Sequence, residues 1–147
     1  MSQRPKTLVF DAWSIMAYFE DEPSGKEVED IIADARENRT PMMMSVVNAG
    51  EVWHIIAREV SEAVADSKIA ELRRLGVEFI NADWMLASEA ARFKSKHRIS
   101  FADCFAAALA RINKADLVTG DKEFKQIEHR HMRREIFCAH NSEAIFL

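Results

Sequence analysis

Cysteine, proline and glycine are scarce in this sequence of 147 residues, which has two Cys, three Pro and four Gly. Cys104 and Cys138 are far apart and neither sits in a CxxC pair, which argues against a disulfide framework and against a thiolate zinc site. Both are expected to be buried as small hydrophobic side chains. With so few Gly and Pro there is no linker, and no internal repeat or low-complexity tract interrupts the chain. No apolar run approaches the ~20 residues of a membrane span. The start, MSQRPKTLVF, has no apolar stretch of signal-peptide length, so a cytoplasmic protein with no membrane association is expected. A strong excess of positive charge is also missing. The formal net charge of −4 argues against binding of nucleic acid through bulk charge.

What is present is a chain 48% hydrophobic, long enough for one compact domain with a core and too short for two, so residues 1–147 read as a single domain. Its charge is unevenly placed. Eleven Lys and Arg against five Asp and Glu lie between Arg92 and Arg134, whereas Glu20 to Asp34 is mainly acidic. Residue by residue these are solvated helix faces; together the basic half suits a polyanion.

The order of elements follows from local pattern. TLVF before Asp11 has the form of a strand buried on both faces, followed by a helix from Ser14 towards Asp21. Ser24-Gly25-Lys26-Glu27 has the form of a capping box and opens a second helix with Val28, Ile31, Ile32 and Ala35 inward. PMMMS is a second strand. Ser45 caps a helix to about Arg58, and another runs from Ser61 to Leu75 and stops at Gly76. VEFI is a third strand, helices follow over Asp83–Lys96 and Ser100–Asn113, and DLVTG and REIFCA supply a fourth and a fifth strand. This alternation predicts a three-layer α/β/α sandwich with a mainly parallel sheet, whose ligands bind beyond the carboxyl ends of the strands.

Two acids fall at such ends: Asp11 follows LVF and Asp121 follows LVTG. Each also suits an ordinary role in a turn or as a helix cap. In SFADCFAAALA the positions Phe101, Phe105, Leu109 and Ile112 keep helical spacing and define a core face. Asp103 points elsewhere, beside Ala106, Ala107 and Ala110, which are small enough for a ligand or backbone to come close. Ser100 to Asp103 equally fits a capping box. Glu51, in VVNAGEVWHII, has apolar residues on nearly every side and needs a partner if buried; Asn48 shares its face.

The segments LVFDAW, NAGEVW, ISFADCFAAALA and DLVTGDKEF, in this order and spacing, resemble the PIN-domain nucleases, and in particular the small VapC-like toxins of bacterial toxin–antitoxin pairs. The resemblance spans nearly the whole chain. It implies that Asp11, Glu51, Asp103 and Asp121 are acidic metal-binding residues of a ribonuclease, with a homodimer and a small antitoxin protein as expected partners. One departure is Trp13, which stands where many members carry Ser or Thr, with Ser14 one position later. Glu123 is near the place of an extra acid in some relatives and is read here as a solvated turn residue.

Electrostatics also calls for protons or cations at such a cluster. Unit charges about 4 Å apart repel by on the order of 4 kcal/mol at an effective dielectric near 20. Two such pairs would cancel much of a domain's ~5–15 kcal/mol of stability. Oxygen ligands without thiolates favour Mg²⁺ or Mn²⁺, which points to metal-assisted phosphodiester hydrolysis, and the resemblance implies that the substrate is RNA. His129 and His131 lack the spacing of a helical metal pair, and Trp53, Trp84 and Met42 to Met44 are read as packing residues. Two rival readings stand beside this one. A Mg²⁺-dependent phosphatase would use Asp11 as nucleophile, although Trp13 occupies the place of its expected second acid. A non-catalytic RNA- or protein-binding module would use the acids only as caps.

Overall fold

The computed structural model describes residues 6–21 and 23–126, together with the backbone of two later strands. The chain runs β1 (Leu8–Phe10), α1 (Ala12–Phe19), α2 (Pro23–Glu37), β2 (Met42–Ser45), α3 (Val46–Glu59), α4 (Glu62–Arg74) and β3 (Val77–Ile80). It continues through α5 (Trp84–Lys96), α6 (Phe101–Ile112), β4 (Asp116–Val118), a 3-10 turn at Lys122–Gln126, β5 (Ile136–Cys138) and β6 (Glu143–Ile145). His129, His131 and the side chain of Cys138 lie outside the described residues.

Most helix starts follow from a side-chain oxygen taking an otherwise orphaned amide. Ser45, Ser61, Asp83 and Ser100 each accept from the backbone N–H three residues on, at the starts of α3, α4, α5 and α6. The start of α2 departs from expectation. It begins at Pro23, whose fixed φ suits a first helical position, and Ser24 lies buried within the first turn. At the end of α4, Gly76 takes φ 98°, a left-handed conformation that glycine adopts without strain.

The strands form one sheet in the order β3-β2-β1-β4-β5-β6. All neighbours pair in parallel except β5 with β6, which are antiparallel. Alternate residues of the central strands enter opposite layers. Val9 and Leu117 pack with Leu86, Phe93, Phe105 and Leu109 of α5 and α6. Phe10 and Val118 pack with side chains from α1 to α4, among them Ile15, Val28, Val52 and Leu72. The result is the expected α/β/α sandwich. After β3 the chain crosses back past β1 to form β4, so the strand order reverses between β1 and β4, where open α/β sheets leave a crevice.

Two side chains read as core are not. Phe101 is 50% exposed because it is the first residue of α6, beyond the sheet; only its edge meets Phe105, with ring centroids 5.3 Å apart. Trp84 is 81% exposed, since Asp83 caps α5 and the helix first reaches the core at Leu86. From Asp103 to Ala110 α6 is buried on nearly every side, which its run of alanines permits between the sheet, α3 and α5. Met42, Met44 and Cys104 are buried as expected, and Trp53 is half-buried with its indole N–H donating to Asp66 at 2.9 Å. In the basic half, Arg92 and Arg111 both pair with Glu89.

Two glycines make opposite predictions. A Cβ at Gly25 would overlap the Ala17 carbonyl oxygen where α2 crosses α1, and backbone cannot yield cheaply there. A Cβ at Gly50, exposed on α3, would meet nothing within 4 Å. Gly25→Ala should therefore destabilise by about 1–3 kcal/mol. Gly50→Ala should stabilise by about 0.4–1 kcal/mol. Denaturant titration of both variants reads the two signs directly.

Candidate metal centre

Asp11 and Thr119 are the first residues beyond β1 and β4, and the pairing of Phe10 with Val118 sets them side by side. Asp11 is fully buried. It caps α1, its Oδ1 accepting the Ser14 amide at 2.9 Å, while Oδ2 accepts the Thr119 hydroxyl at 2.5 Å. The Ser14 hydroxyl is spent on the Asp11 carbonyl oxygen at 3.0 Å, so it holds this cap and does not line the open site. Thr119 Oγ1 also accepts the Asp121 amide at 3.0 Å, which fixes Asp121 next to Asp11.

From the other layer, α6 delivers Asp103 in its first turn, with its amide on Ser100 Oγ at 3.1 Å. The cap and the site therefore share one geometry. Asn48 ties α3 to this turn: its Nδ2 donates to the Ala102 carbonyl at 3.0 Å, and its Oδ1 accepts the Ser45 hydroxyl at 2.6 Å. One helical turn further, Glu51 comes to the same place, with Oε2 buried and without a hydrogen bond. Oxygens of Asp103, Asp121 and Glu123 lie within 4.8 Å of one another, the one such group of three among the described residues. Glu123 is exposed, as the sequence suggested, and nevertheless lies beside the cluster. Its amide donates to Asp121 Oδ1 at 2.9 Å within the 3-10 turn, and its Oε2 accepts the Ser100 amide at 3.4 Å.

The charges confirm how closely these groups meet. Burial pushes the Asp11 carboxyl up to about 6, against the hydrogen bonds from Thr119 and Ser14 and with a further push from Asp121. Asp103 is pushed up to about 8 by burial and then by the charge of Asp11, opposed by the Ser100 side chain and reinforced by Asp121. Glu51 is raised by burial and by Asp121, with His54 opposing. The four sequence-derived acids therefore share one electrostatic site, three of them facing a cleft and Asp11 lying beneath its floor. The cleft, about 580 Å³, is lined by Glu51, Asp103, Asp121 and Glu123 together with Trp13, Met16, Glu20 and Ile55. An all-oxygen donor set with a buried, unpartnered carboxylate oxygen fits a hard divalent cation, which would relieve the repulsion.

Thr119 was not singled out from the sequence. Its only local signal is a hydroxyl two residues before Asp121; its importance depends on which strand lies next to β4.

A PIN domain family model matches residues 8–130. The chain belongs to the PIN domain family. No curated protein sequence matches it significantly. The fold of this PIN domain is similar to that of solved VapC toxins. DNA-bound VapBC from Salmonella typhimurium gives a TM-score of 0.70 at 15% identity, covering 90% of this chain and 99% of that one. VapC20 of Mycobacterium tuberculosis, a sarcin-ricin loop cleaving toxin, gives 0.65 at 19% identity, covering 82% and 95%. A toxin-antitoxin complex from Klebsiella pneumoniae gives 0.59 at 18%, covering 82% and 92%.

Because Asp11 and Asp103 hold protons more tightly when folded than the ordinary 3.8 of an aspartate, the folded state of this PIN domain binds more protons than the unfolded chain above that pH. Stability contributed by these protons is complete at low pH and is lost as pH rises through about 6 and then about 8. In chelator, the unfolding midpoint should fall between about pH 4 and pH 8, most steeply below pH 6 where both groups contribute. Asp103→Asn should flatten the upper part of that fall, and Mn²⁺ should flatten it in the unsubstituted protein. An equally steep fall in Asp103→Asn would separate Asp103 from the cluster.

Proposed function

We propose that this PIN domain is a Mg²⁺- or Mn²⁺-dependent ribonuclease, the toxin of a toxin–antitoxin pair, acting in the cytoplasm as one domain over residues 1–147. The observation that carries the proposal is the convergence of Asp11, Glu51, Asp103 and Asp121 from four separate elements, at the point where strand order reverses and against a cleft. A scaffold that needed these acids only as helix caps would have no reason to bring them together, because their mutual repulsion costs stability.

Asp103 and Asp121 would hold the cation, with Glu51 Oε2 and Glu123 at the rim and Asp11 adding negative charge from beneath. A bound divalent ion supplies charge neutralisation at the phosphodiester and an activated water for in-line attack. The protein's own contribution is positional. Thr119 holds Asp11 and Asp121 in register, Asn48 fixes the α3–α6 junction that sets Glu51 against Asp103, and Ser100 fixes the first turn of α6. Asp103, whose carboxyl is pushed up by burial and by the charge of Asp11, would have to give up any proton it holds in order to bind a cation.

The structural neighbours support the wider reading, since one is a sarcin-ricin loop cleaving toxin and others come from VapBC or toxin-antitoxin complexes. No described helix is long and apolar enough to cross a membrane. A small antitoxin, encoded beside this gene, and a second copy of the chain are the proposed protein partners. The exposed Trp84 and Met85 at the start of α5 are the kind of apolar surface a protein partner covers.

The test is cleavage of a mixed RNA pool by purified protein with Mg²⁺, with Mn²⁺ and with chelator, alongside thermal melts. Cleavage should require the metal, and Mn²⁺ should raise the melting temperature. Asp103→Asn and Glu51→Gln should each lower cleavage by about 100-fold or more while leaving the chain folded. Full activity in Asp103→Asn would reduce that residue to a cap. A chain that melts identically with and without Mn²⁺ would be a binding module, and a trapped phosphate on Asp11 would make it a phosphatase.

A further inference from the structure

The cleft has a second wall that the carboxylate chemistry does not use. Trp13, Met16 and Ala17 share one face of α1, and with Glu20 at the end of that helix and Ile55 of α3 they line the same cleft as the metal-site acids. Trp13 is half-buried and belongs partly to the core beneath. Its six-membered ring lies over the α-carbon of Gly120: a Cβ there would overlap Cη2, Cζ3 and Cζ2 of the indole, three consecutive ring atoms at nearly equal distances, so the ring meets Gly120 with its face. Gly120 has no positive φ to account for its identity. The close approach of the ring is what requires glycine. Gly120 directly precedes Asp121, so the indole is clamped on the backbone that carries a metal-site carboxylate, and Trp13 lines the same cleft as that carboxylate.

We propose that Trp13, held flat by Gly120, is a stacking platform for one unpaired nucleobase beside the scissile phosphate, so that the cleft selects single-stranded or flipped-out nucleotides. This rests on the ribonuclease reading above. The arrangement matches what such a substrate presents, a charged phosphate next to an apolar π-face: the acids with their cation take the first and the Trp13 wall takes the second. Stacking on an aromatic side chain is how proteins hold unpaired bases without reading their edges. A cleft of about 580 Å³ is of the size that takes a small ligand rather than a duplex. Gly120 acts through Trp13 and is a positioning residue.

The test uses short single-stranded RNAs containing one cleavage site, with an abasic ribose placed in turn at each nucleotide flanking the cut. With the unsubstituted protein, one flanking position should raise KM by between about 5-fold and 150-fold when its base is removed, the range of a single base–aromatic stack. Trp13→Ala should raise KM on intact RNA by the same factor, with the loss in KM rather than kcat, and should be indifferent to the abasic substitution. Trp13→Tyr should restore the dependence, and Gly120→Ala, by displacing the ring, should weaken it. In the Asp103→Asn background, binding of intact RNA should quench tryptophan emission and binding of the abasic RNA should quench it less; Trp13→Tyr should remove the difference. If the abasic scan leaves KM unchanged at every position, or if folded Trp13→Ala has an unchanged KM on intact RNA, the stacking proposal is overturned while the ribonuclease reading stands. If the unsubstituted protein cleaves no RNA, the ribonuclease reading fails and takes this proposal with it.

Discussion

The hydrogen bond from Thr119 to Asp11 joins residues 108 positions apart, and the site is arranged around it. It exists because β4 pairs with β1, so the ends of two buried strands present their first polar residues to each other. Thr119 then fixes the Asp121 amide, and Asp121 in turn receives the Glu123 amide. One hydroxyl thus sets three acids in register. The burial that makes this arrangement rigid also makes it electrostatically costly, because a carboxylate in low dielectric is destabilised by every like charge nearby.

Much of the fold was legible because its signals are local. Ser45, Ser61, Asp83 and Ser100 cap their helices through an amide three residues away, and Gly76 ends α4 through its own backbone freedom. Where sequence reading went astray, the deciding factor lay elsewhere in the chain. The periodicity of α6 correctly placed Phe105 and Leu109 inward but cannot say that Phe101 projects past the layer beneath. Trp84 has the composition of a core residue, and only the position of the α5 start leaves it in solvent. The start of α2 was misplaced by one plausible cap in favour of another, since Pro23 and Ser24 both suit a first turn. The short antiparallel β6 and the 3-10 turn at Lys122–Gln126 carry too few residues for a pattern.

The candidate site divides in the same way. Asp11 and Asp121 could be picked out because each follows an apolar strand, Glu51 because a charge among apolar neighbours is anomalous, and Asp103 through its setting of small residues. The sequence could not show that Asp11 is wholly buried beneath the others, or that Thr119 lies beside it, because both depend on the β1–β4 pairing. Glu123 is solvent-exposed as its turn suggested, but the hydrogen bond from its amide to Asp121 also sets it beside the cluster, which no local pattern shows. Asn48 was placed on the right face, but its bond to the Ala102 carbonyl spans helices brought together only by the fold.

The sheet's strand order also bears on how the protein is made. Chains emerge from the ribosome N-terminus first, and early segments begin to fold before late ones exist. Asp11 and Glu51 are synthesised in the first third or so of the chain, yet Asp103, Asp121 and the strand that pairs with β1 arrive only after residue 100. Until then the nascent chain carries half a site. A chain whose proposed chemistry is directed at RNA is thus translated with its carboxylates still apart, and they assemble only as the last central strand closes.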